Sequence, residues 1–171
     1  GDADVTPEQV RRAAGNGVRA AAGLNADRPL RVAICLDAIE PEVVKAFAER
    51  SDTLKGMAQA ASFLYHEFES YDAKAAGKNL TVAAEAPLQA VNQALSALTE
   101  WRAGSIHAAV SRVAEENGVA LGKVAQPLRV AVAGVAVSPP IDVTLELLGR
   151  RRTQARIERA LSFIAQRPSG S

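Results

Sequence analysis

Five arginines lie within ten residues near the C-terminal end of the chain. The cluster consists of Arg150, Arg151, Arg152, Arg156 and Arg159. A guanidinium group stays charged at neutral pH, and its planar fork of donors matches the oxygens of a phosphate. Arginine at a helix start opposes the helix macrodipole, so helix stability does not explain the cluster. Composition alone leaves two interpretations open, a phosphate-binding surface and a solvated basic face.

The charge of the chain is distributed unevenly. Residues 101–171 carry 10 basic and 5 acidic side chains, whereas residues 1–100 carry 10 basic and 14 acidic ones, so the net charge is only +1. A local excess of positive charge attracts polyanions even when the net charge is near zero. The C-terminal part is therefore the candidate surface for a polyanionic partner.

The sequence offers little for a self-contained enzyme. The only histidines, His66 and His107, are far apart and have no cysteine or carboxylate at metal-ligand spacing, so we predict no metal site. No glycine-rich phosphate-binding pattern is present, and we predict no ATP site, no cofactor and no catalytic residue in this chain. Cys35 lies in an apolar run and is predicted to be a buried, inert thiol.

The composition favours helices. Alanine occurs 35 times, hydrophobic residues make up 48% of the chain and aromatic residues only 4%, which is typical of close-packed helices around a substantial core. No apolar run approaches the roughly 20 residues that span a bilayer, and no signal pattern precedes the first helix. We predict a soluble, cytoplasmic, all-α protein.

The start of the chain indicates a piece of a longer protein. The chain begins at Gly1, and Met57 is its only methionine, so we expect an upstream part to be missing. Residues 1–5 are treated as a candidate cloning remnant.

Apolar spacing and the usual start and stop residues predict a series of helices. The first two helices begin near Thr6 and near Pro41. The next three begin at Ser51 or Asp52 and end near Glu67, begin at Asp72 and end near Leu80, and begin at Pro87. Three later helices run from near Ser105 to just before Gly118, from Ser138 to Gly149, and from residue 152 to residue 166. Residues 128–137 alternate like a strand, but Pro127 and Gly134 flank a piece too isolated to find sheet partners. We therefore predict a helix that ends at Gly134.

Two further features of the chain concern its organisation. A polar turn at Ser70 and Tyr71 is the candidate boundary between two helical subdomains, residues 1–70 and residues 71–171, the second of which ends in a polar tail. The lone Trp101 is predicted to be a packing anchor rather than a platform for base stacking.

Several short motifs follow one another in the order and spacing of a known family. They are Arg50–Lys55 (RSDTLK), Tyr71–Ala76 (YDAKAA), Glu100-Trp101, Leu121–Val132 (LGKVAQPLRVAV) followed by Gly134 and Ser138-Pro139, and Leu147–Gly149 (LLG) with Ala155–Leu161 (ARIERAL). Through this series, which covers roughly residues 41–166, the chain resembles the C-terminal region of bacterial glutamyl-tRNA synthetases. The first 40 residues carry little of the resemblance.

The resemblance implies a fold and a function. The fold would be an α-helical cage of two packed subdomains that receives the anticodon of glutamate tRNA. Activation of glutamate with ATP and magnesium would take place in an N-terminal catalytic domain of the same chain, so this part alone would be non-catalytic. The implied partners are tRNA and that domain, without a membrane, and we expect a monomer.

The resemblance also implies which residues read the anticodon. Arg50 matches the position whose arginine is implicated in reading the last anticodon base, where guanidinium donors can face the acceptor edge of cytosine. Arg129 is the second candidate. Ser138, Pro139 and Ile141 resemble a loop and helix start that touch splayed bases, where a helix N-terminus offers backbone amides.

Contacts to the tRNA backbone are assigned to a second set of residues. This set comprises Lys123, Arg150, Arg151, Arg152 and Arg156. Such contacts attract any tRNA and do not select its sequence.

Other interpretations of these residues stay open. Arg50 could form a surface salt bridge with Glu49 or Asp52, and Arg129 could be a structural arginine at a helix junction. At the level of function, the alternatives are a helical protein-interaction scaffold and the cage of a class I lysyl-tRNA synthetase.

Overall fold

The computed structural model describes residues 41–48 and 54–167, and helices occupy most of these two ranges. We label them α1 (Pro41–Ala48), α2 (Leu54–Tyr65), α3 (Ala73–Asn79), α4 (Val82–Ser96), α5 (Ala103–Glu116), α6 (Leu121–Ala133), α7 (Ile141–Leu148) and α8 (Arg150–Ala165). The two ranges contain no strand, which confirms the predicted all-α class. The helices predicted before Pro41 and the thiol of Cys35 lie outside the described residues.

The chain divides into two compact units, residues 1–62 and residues 63–171. In the first unit, α1 buries Val43 and Phe47, which are four residues apart and therefore share one face of the helix. Helices α3 to α8 belong to the second unit. The subdomain boundary predicted at residues 70 and 71 stays a prediction.

The core of the second unit is built from apolar stripes on α4, α5, α6 and α8. Its innermost side chains, which are at most 1% exposed, include Leu88, Val91, Leu95, Ile106, Val110, Leu128 and Ile157. Within each helix these residues are spaced three, four or seven apart, which places them on one face. Helix α6 contacts α3, α4, α5, α7 and α8, so it lies at the centre of this unit.

Several helix ends follow the predicted signals. Asp72 caps α3, and its Oδ1 accepts a 2.7 Å hydrogen bond from the amide of Ala75. Gly134 ends α6 with φ +76°, and Gly149 ends α7 with φ +83°, both in the region that favours glycine. The helical interpretation of the Leu128 segment is confirmed up to Gly134.

The prediction that a helix starts at Pro87 is wrong. Helix α4 begins at Val82, with Thr81 in an extended conformation before it, and Pro87 lies inside the helix. The residues from Val82 to Ala86 include three alanines, whose high helix propensity stabilises the helical conformation before Pro87. Pro87 has no N–H, so the carbonyl of Ala83 loses its usual helical partner.

The start predicted at Ser138 is also wrong, by three residues. Helix α7 begins at Ile141 with Pro140 as its N-cap. A residue that precedes proline disfavours the helical conformation, and Pro139 precedes Pro140, so the chain stays extended until Pro140 has passed. Helix α8 begins at Arg150 rather than at residue 152, which places three arginines in its first turn.

No helix within the described ranges is both long enough and apolar enough to cross a membrane.

Candidate nucleic-acid interface

The segment 134–140 connects α6 to α7 and contains two of the predicted anticodon-binding positions, Ser138 and Pro139. A third, Ile141, is the first residue of α7. Its path is held at the start by the left-handed turn at Gly134, whose N–H donates to the carbonyl of Val130 over 2.9 Å. In its middle, the side-chain amide of Gln126 donates to the carbonyl of Ala136 over 2.9 Å. We call residues 134–140 the α6–α7 loop.

Arg129 and Ser138, which sequence analysis selected separately, are in direct contact. The Nε of Arg129 donates to the Oγ of Ser138 over 3.0 Å, and its NH1 group donates to the Oε1 of Gln126. The guanidinium therefore links α6 to the α6–α7 loop. Because two partners hold it, its position does not depend on a ligand.

The hydroxyl of Ser138 sits at the centre of a buried polar cluster. Ser138 is only 5% exposed, and its Oγ lies 2.9 Å from the carbonyl oxygen of Pro139 and 3.2 Å from the Oγ1 of Thr144. Thr144, on α7, is 1% exposed and its hydroxyl donates to the same carbonyl over 3.2 Å. This cluster fixes the α6–α7 loop against the first turns of α7.

The outer surface of the loop comes from other residues. Pro139 is buried and Ile141 is 8% exposed, so the three positions predicted to touch bases have little surface of their own. Val135 is 43% exposed and Val137 is 75% exposed, whereas valine is usually an interior residue. The loop thus exposes apolar side chains to solvent, while its polar groups lie in the buried cluster around Ser138.

Lys123 lies away from this loop. Arg50 lies outside the described residues. Lys123 is exposed in the first turn of α6, six residues before Arg129, which corresponds to about 9 Å along the helix axis. The structure therefore brings Arg129, Ser138, Pro139 and Ile141 together and leaves Lys123 at the other end of α6.

Four of the five arginines in the cluster on α8 donate hydrogen bonds to described residues, and one of them, Arg156, is buried. Arg156 is only 2% exposed: its NH1 group donates to the carbonyl of Val132 over 2.6 Å, and its NH2 group donates to that of His66 over 3.1 Å. The carboxylate of Glu67 accepts from both Nε and NH2 over 3.1 Å. Arg156 is a structural arginine, and this corrects its assignment to the tRNA backbone.

The neighbouring arginines on α8 also bind backbone carbonyls. Arg159 donates to the carbonyls of Phe68 over 2.7 Å and Glu69 over 2.6 Å, and its guanidinium lies over the ring of Phe68 at 4.8 Å. Arg152 donates to the carbonyl of Leu64. Together with Arg156, they hold residues 64–69, and we call Arg152, Arg156 and Arg159 the arginine clamp.

Arg150 and Arg151 differ in their surroundings. Arg150 donates to the carbonyl of Leu98 over 2.6 Å and lies 5.3 Å from the ring of Trp101. The indole N–H of Trp101 donates to the carbonyl of Leu145 over 2.9 Å, which confirms the predicted packing anchor. Arg151 is exposed and makes no hydrogen bond or ion pair with any described residue.

The arginine clamp affects the pKa values of two titratable groups, Glu67 and Tyr71. The hydrogen bond from Arg156 holds the pKa of the Glu67 carboxyl below its ordinary value of 4.5, and its burial opposes this only in part. Burial raises the pKa of the Tyr71 hydroxyl above 10.0, against the attraction of Arg159 and Arg156.

The described ranges contain no group of three or more potential metal ligands. The Nδ1 of His107, on α5, lies 3.3 Å from a carboxylate oxygen of Asp142, on α7, as a surface pair. His66 is exposed.

Sequence reasoning missed Gln126 and Thr144 as members of the site. Gln126 precedes Arg129 by three residues, and residues three apart on a helix are neighbours, so the spacing could have identified it. Nothing in the sequence marks Thr144, because its contact with Ser138 depends on how the α6–α7 loop turns back onto α7.

The comparisons with known proteins agree with this architecture. The family model described as anticodon binding domain matches residues 25–161. The chain is similar to a glutamate tRNA ligase from Elizabethkingia meningosepticum, solved in complex with its amino acid, with a TM-score of 0.69 and 24% identity over 91% of this chain and 29% of that one. It is also similar to a glutamate-tRNA synthetase from Elizabethkingia anophelis, with a TM-score of 0.64 and 25% identity over 91% of this chain and 28% of that one.

The chain spans less than a third of the length of these two structures. The family match covers the part of the chain that carries the site, because residues 25–161 include the α6–α7 loop, Arg129 and most of α8. Since this match extends over well more than half of the chain, the chain belongs to the anticodon binding domain family.

Proposed function

We propose that this chain is the anticodon-binding part of a glutamate–tRNA ligase and that it binds the anticodon of glutamate tRNA. The proposal is supported by the family match over residues 25–161 and by the likeness to two glutamate tRNA ligases. In the whole enzyme, an N-terminal catalytic domain of the same chain would use ATP and magnesium to join glutamate to the tRNA. The protein would act as a cytoplasmic monomer.

The observation that carries the proposed site is the fixed position of Arg129 beneath the α6–α7 loop. A cation that is held by Gln126 and Ser138 loses little side-chain entropy when a nucleic acid binds, so more of each contact contributes to affinity. Unstacked anticodon bases offer their pairing edges to such a group. In this proposal Arg129 contacts the anticodon loop, while Ser138, Pro139 and Ile141 hold the backbone that meets the bases.

The apolar outer surface of the loop has a role in the same proposal. Val137, which is 75% exposed, supplies apolar contact to a splayed base, because the face of a base is itself poorly hydrated. Valine offers no hydrogen bond and so does not choose between bases. Selection of the last anticodon base is assigned to Arg50, whose donors suit the acceptor edge of cytosine and are opposed by a donor on guanine.

Contacts to the tRNA backbone are proposed for Arg151 and Lys123, which are both exposed. Arg150 and Arg152 donate to backbone carbonyls, so their guanidiniums are partly engaged and would add less. Each phosphate contact releases counterions from the nucleic acid, so its contribution falls with salt.

The experiment measures binding of the 171-residue chain to glutamate tRNA by fluorescence anisotropy. We compare this tRNA with a version whose last anticodon base is changed from cytosine to guanine, and with lysine tRNA. We expect the cytosine form to bind about tenfold more tightly, because one lost bidentate contact costs about 1–3 kcal/mol. Equal affinity for all three tRNAs would disprove anticodon reading by this chain.

The role of Arg50 is tested with a matched pair of variants. Arg50→Gln should remove the preference for cytosine, whereas Arg112→Gln, which changes an exposed arginine on α5, should keep it. If both variants discriminate as the parent chain does, Arg50 does not read the base.

A further inference from the structure

The first residue of the α6–α7 loop is held by two separate segments of the second unit. The N–H of Gly134 donates to the carbonyl of Val130, on α6, and the carbonyl of Gly134 accepts a 2.9 Å hydrogen bond from the N–H of Asp72. A Cβ built on Gly134 would lie 3.1 Å from two ring carbons of Phe68, so this ring covers the side of the glycine where other residues carry a side chain. Phe68 and Asp72 thus hold the chain at the point where it leaves α6.

The ring of Phe68 is itself held by cations and by a second ring. The guanidiniums of Arg156 and Arg159 lie 5.1 Å and 4.8 Å from the centre of the ring, which is the range of a cation–π contact. The ring of Tyr71 lies 5.3 Å away in an edge-to-face arrangement. The carbonyl of Phe68 also accepts a 2.7 Å hydrogen bond from Arg159. Both the ring and its backbone are therefore fixed, and the ring has little freedom to move away from Gly134.

After Gly134, anchored and exposed residues alternate along the loop. The carbonyl of Ala136 and the side chain of Ser138 accept hydrogen bonds from side chains on α6. Val135 and Val137, which lie between these anchors, are exposed. Because the position of each valine depends on the anchors before and after it, a change in the direction of the chain at Gly134 would displace both valines.

We propose that Phe68 is a positioning residue of the anticodon site. Its ring sets the direction of the α6–α7 loop at Gly134 and thereby places the side chain of Val137 against the tRNA. The part of this role that concerns tRNA rests on the function proposed above. A flat ring suits the role, because it can lie close against a residue that has no Cβ. Phe68 acts through Gly134 and needs no contact of its own with the tRNA.

Two phenylalanines of one aromatic group provide a matched pair of variants. Phe68→Leu removes the ring that covers Gly134, whereas Phe163→Leu removes a ring that lies 4.9 Å from Tyr71. The three atoms nearest to a Cβ at Gly134 all belong to Phe68. Each variant loses a ring contact with Tyr71 and at least one cation–π contact, so both should be less stable than the parent chain in urea unfolding.

Amide hydrogen exchange of the free 171-residue chain, measured by NMR, tests the hold of Phe68 on the loop without any tRNA. The amide of Gly134 is compared with that of Asn117, which ends α5, so that a change in overall stability affects both. Phe68→Leu should speed the exchange of Gly134 relative to Asn117 at least about fivefold, because the end of α6 then opens locally. Phe163→Leu should change this ratio less than about twofold. Equal ratios in the two variants would overturn the proposal.

Binding of glutamate tRNA, measured by fluorescence anisotropy, tests the role in the site. Phe68→Leu should weaken binding at least about fivefold, and Phe163→Leu less than about twofold. The comparison is repeated in a chain that carries Val137→Ala. Because Phe68 acts by placing Val137, Phe68→Leu should weaken binding less than about twofold there. A general loss of folding would instead weaken binding equally with and without Val137→Ala.

Failure of the proposed function and failure of this role would look different. If the parent chain does not bind glutamate tRNA, the proposed function fails, and faster exchange of Gly134 in Phe68→Leu alone would still support the hold of Phe68 on the loop. If the parent chain binds but Phe68→Leu and Phe163→Leu bind equally well, or Val137→Ala does not diminish the effect of Phe68→Leu, the positioning role is overturned. Circular dichroism checks that each variant is folded. Phe68→Met, whose flexible side chain fills space without a flat ring, replaces Phe68→Leu if the leucine variant is unfolded.

Discussion

The Nε of Arg129 donates a hydrogen bond of 3.0 Å to the Oγ of Ser138, nine residues further along the chain. The bond crosses from α6 to the end of the α6–α7 loop, and Ser138 is only 5% exposed, so water competes little for it. The same arginine also donates to Gln126 on its own helix. The α6–α7 loop and the guanidinium of Arg129 are thus parts of one hydrogen-bonded unit.

This relationship predicts energetic coupling between the two residues. Ser138→Ala should lower the free energy of unfolding by about 1–2 kcal/mol, because it leaves buried partners unsatisfied. In a double-mutant cycle with Arg129→Gln, measured by urea unfolding, we expect a coupling energy of about 0.5–1.5 kcal/mol. Ser162→Ala, an exposed serine on α8 whose hydroxyl donates within its own helix, serves as the control and should be additive with Arg129→Gln.

Arg151 and Arg156, five positions apart in sequence, should give opposite results. Arg151→Gln should weaken the binding of every tRNA alike and reduce the slope of log K against log salt concentration by about 1. Its free energy of unfolding should stay within about 0.5 kcal/mol of the parent chain. Arg156→Gln should lower the free energy of unfolding by about 3 kcal/mol, because the carbonyls of Val132 and His66 would be left without their donor. Urea unfolding and binding at two salt concentrations separate the two effects. A salt slope unchanged by Arg151→Gln would remove this residue from the interface.

Gly134 should tolerate substitution less well than Gly118. Both have positive φ, at +76° and +63°, so alanine at either position costs about 1 kcal/mol or more in backbone strain. At Gly134 a Cβ would also lie 3.1 Å from the ring of Phe68, whereas at Gly118 it meets nothing within 4 Å. We expect Gly134→Ala to be the more destabilising by about 1–2 kcal/mol in urea unfolding, since the ring must shift. Equal losses of the free energy of unfolding in the two variants would show that the ring of Phe68 shifts without a cost in free energy.

The pairing of Glu67 with Arg156 predicts a dependence of stability on pH. The pKa of Glu67 is lowered in the folded state, so its contribution is present above the ordinary value of 4.5 and is lost as the pH falls through the folded pKa. The Glu67 side chain is 63% exposed, so solvent screening keeps this contribution small. Urea unfolding at pH 6 and at about pH 3 should show a smaller loss for Glu67→Gln than for the parent chain. Identical losses would show that other carboxylates carry the acid sensitivity.

Local signals in the sequence were sufficient for most helices of the second unit. Asp72, Gly134 and Gly149 act at the positions where capping and left-handed turns require them, and these are effects of one to four residues. The helix start was predicted wrongly at Pro87 because proline is common in the first turn of a helix. Proline is also tolerated further inside a helix when the flanking residues favour a helix. The local pattern does not distinguish these two cases.

The partners of the arginines could not be predicted from the sequence. A cluster of guanidiniums attracts phosphate and also satisfies backbone carbonyls, and the choice depends on which segment packs against the helix. Residues 64–69 supply those carbonyls, and nothing in their composition marks them as partners of α8. Arg129 and Ser138 were both selected because they stand in one short series of motifs, but the hydrogen bond between them was not predicted.

The arginine clamp has a consequence for the order of folding. Its hydrogen bonds to residues 64–69 join residues that are 88 to 91 positions apart in the chain. Closing a loop of that length has a large entropic cost, and contacts of such separation slow the formation of the native topology. We expect the clamp to form after the transition state, once α4, α5 and α6 have packed. Interactions that are absent from the transition state chiefly set the unfolding rate, so these guanidiniums should determine how long the unit stays folded rather than how fast it folds.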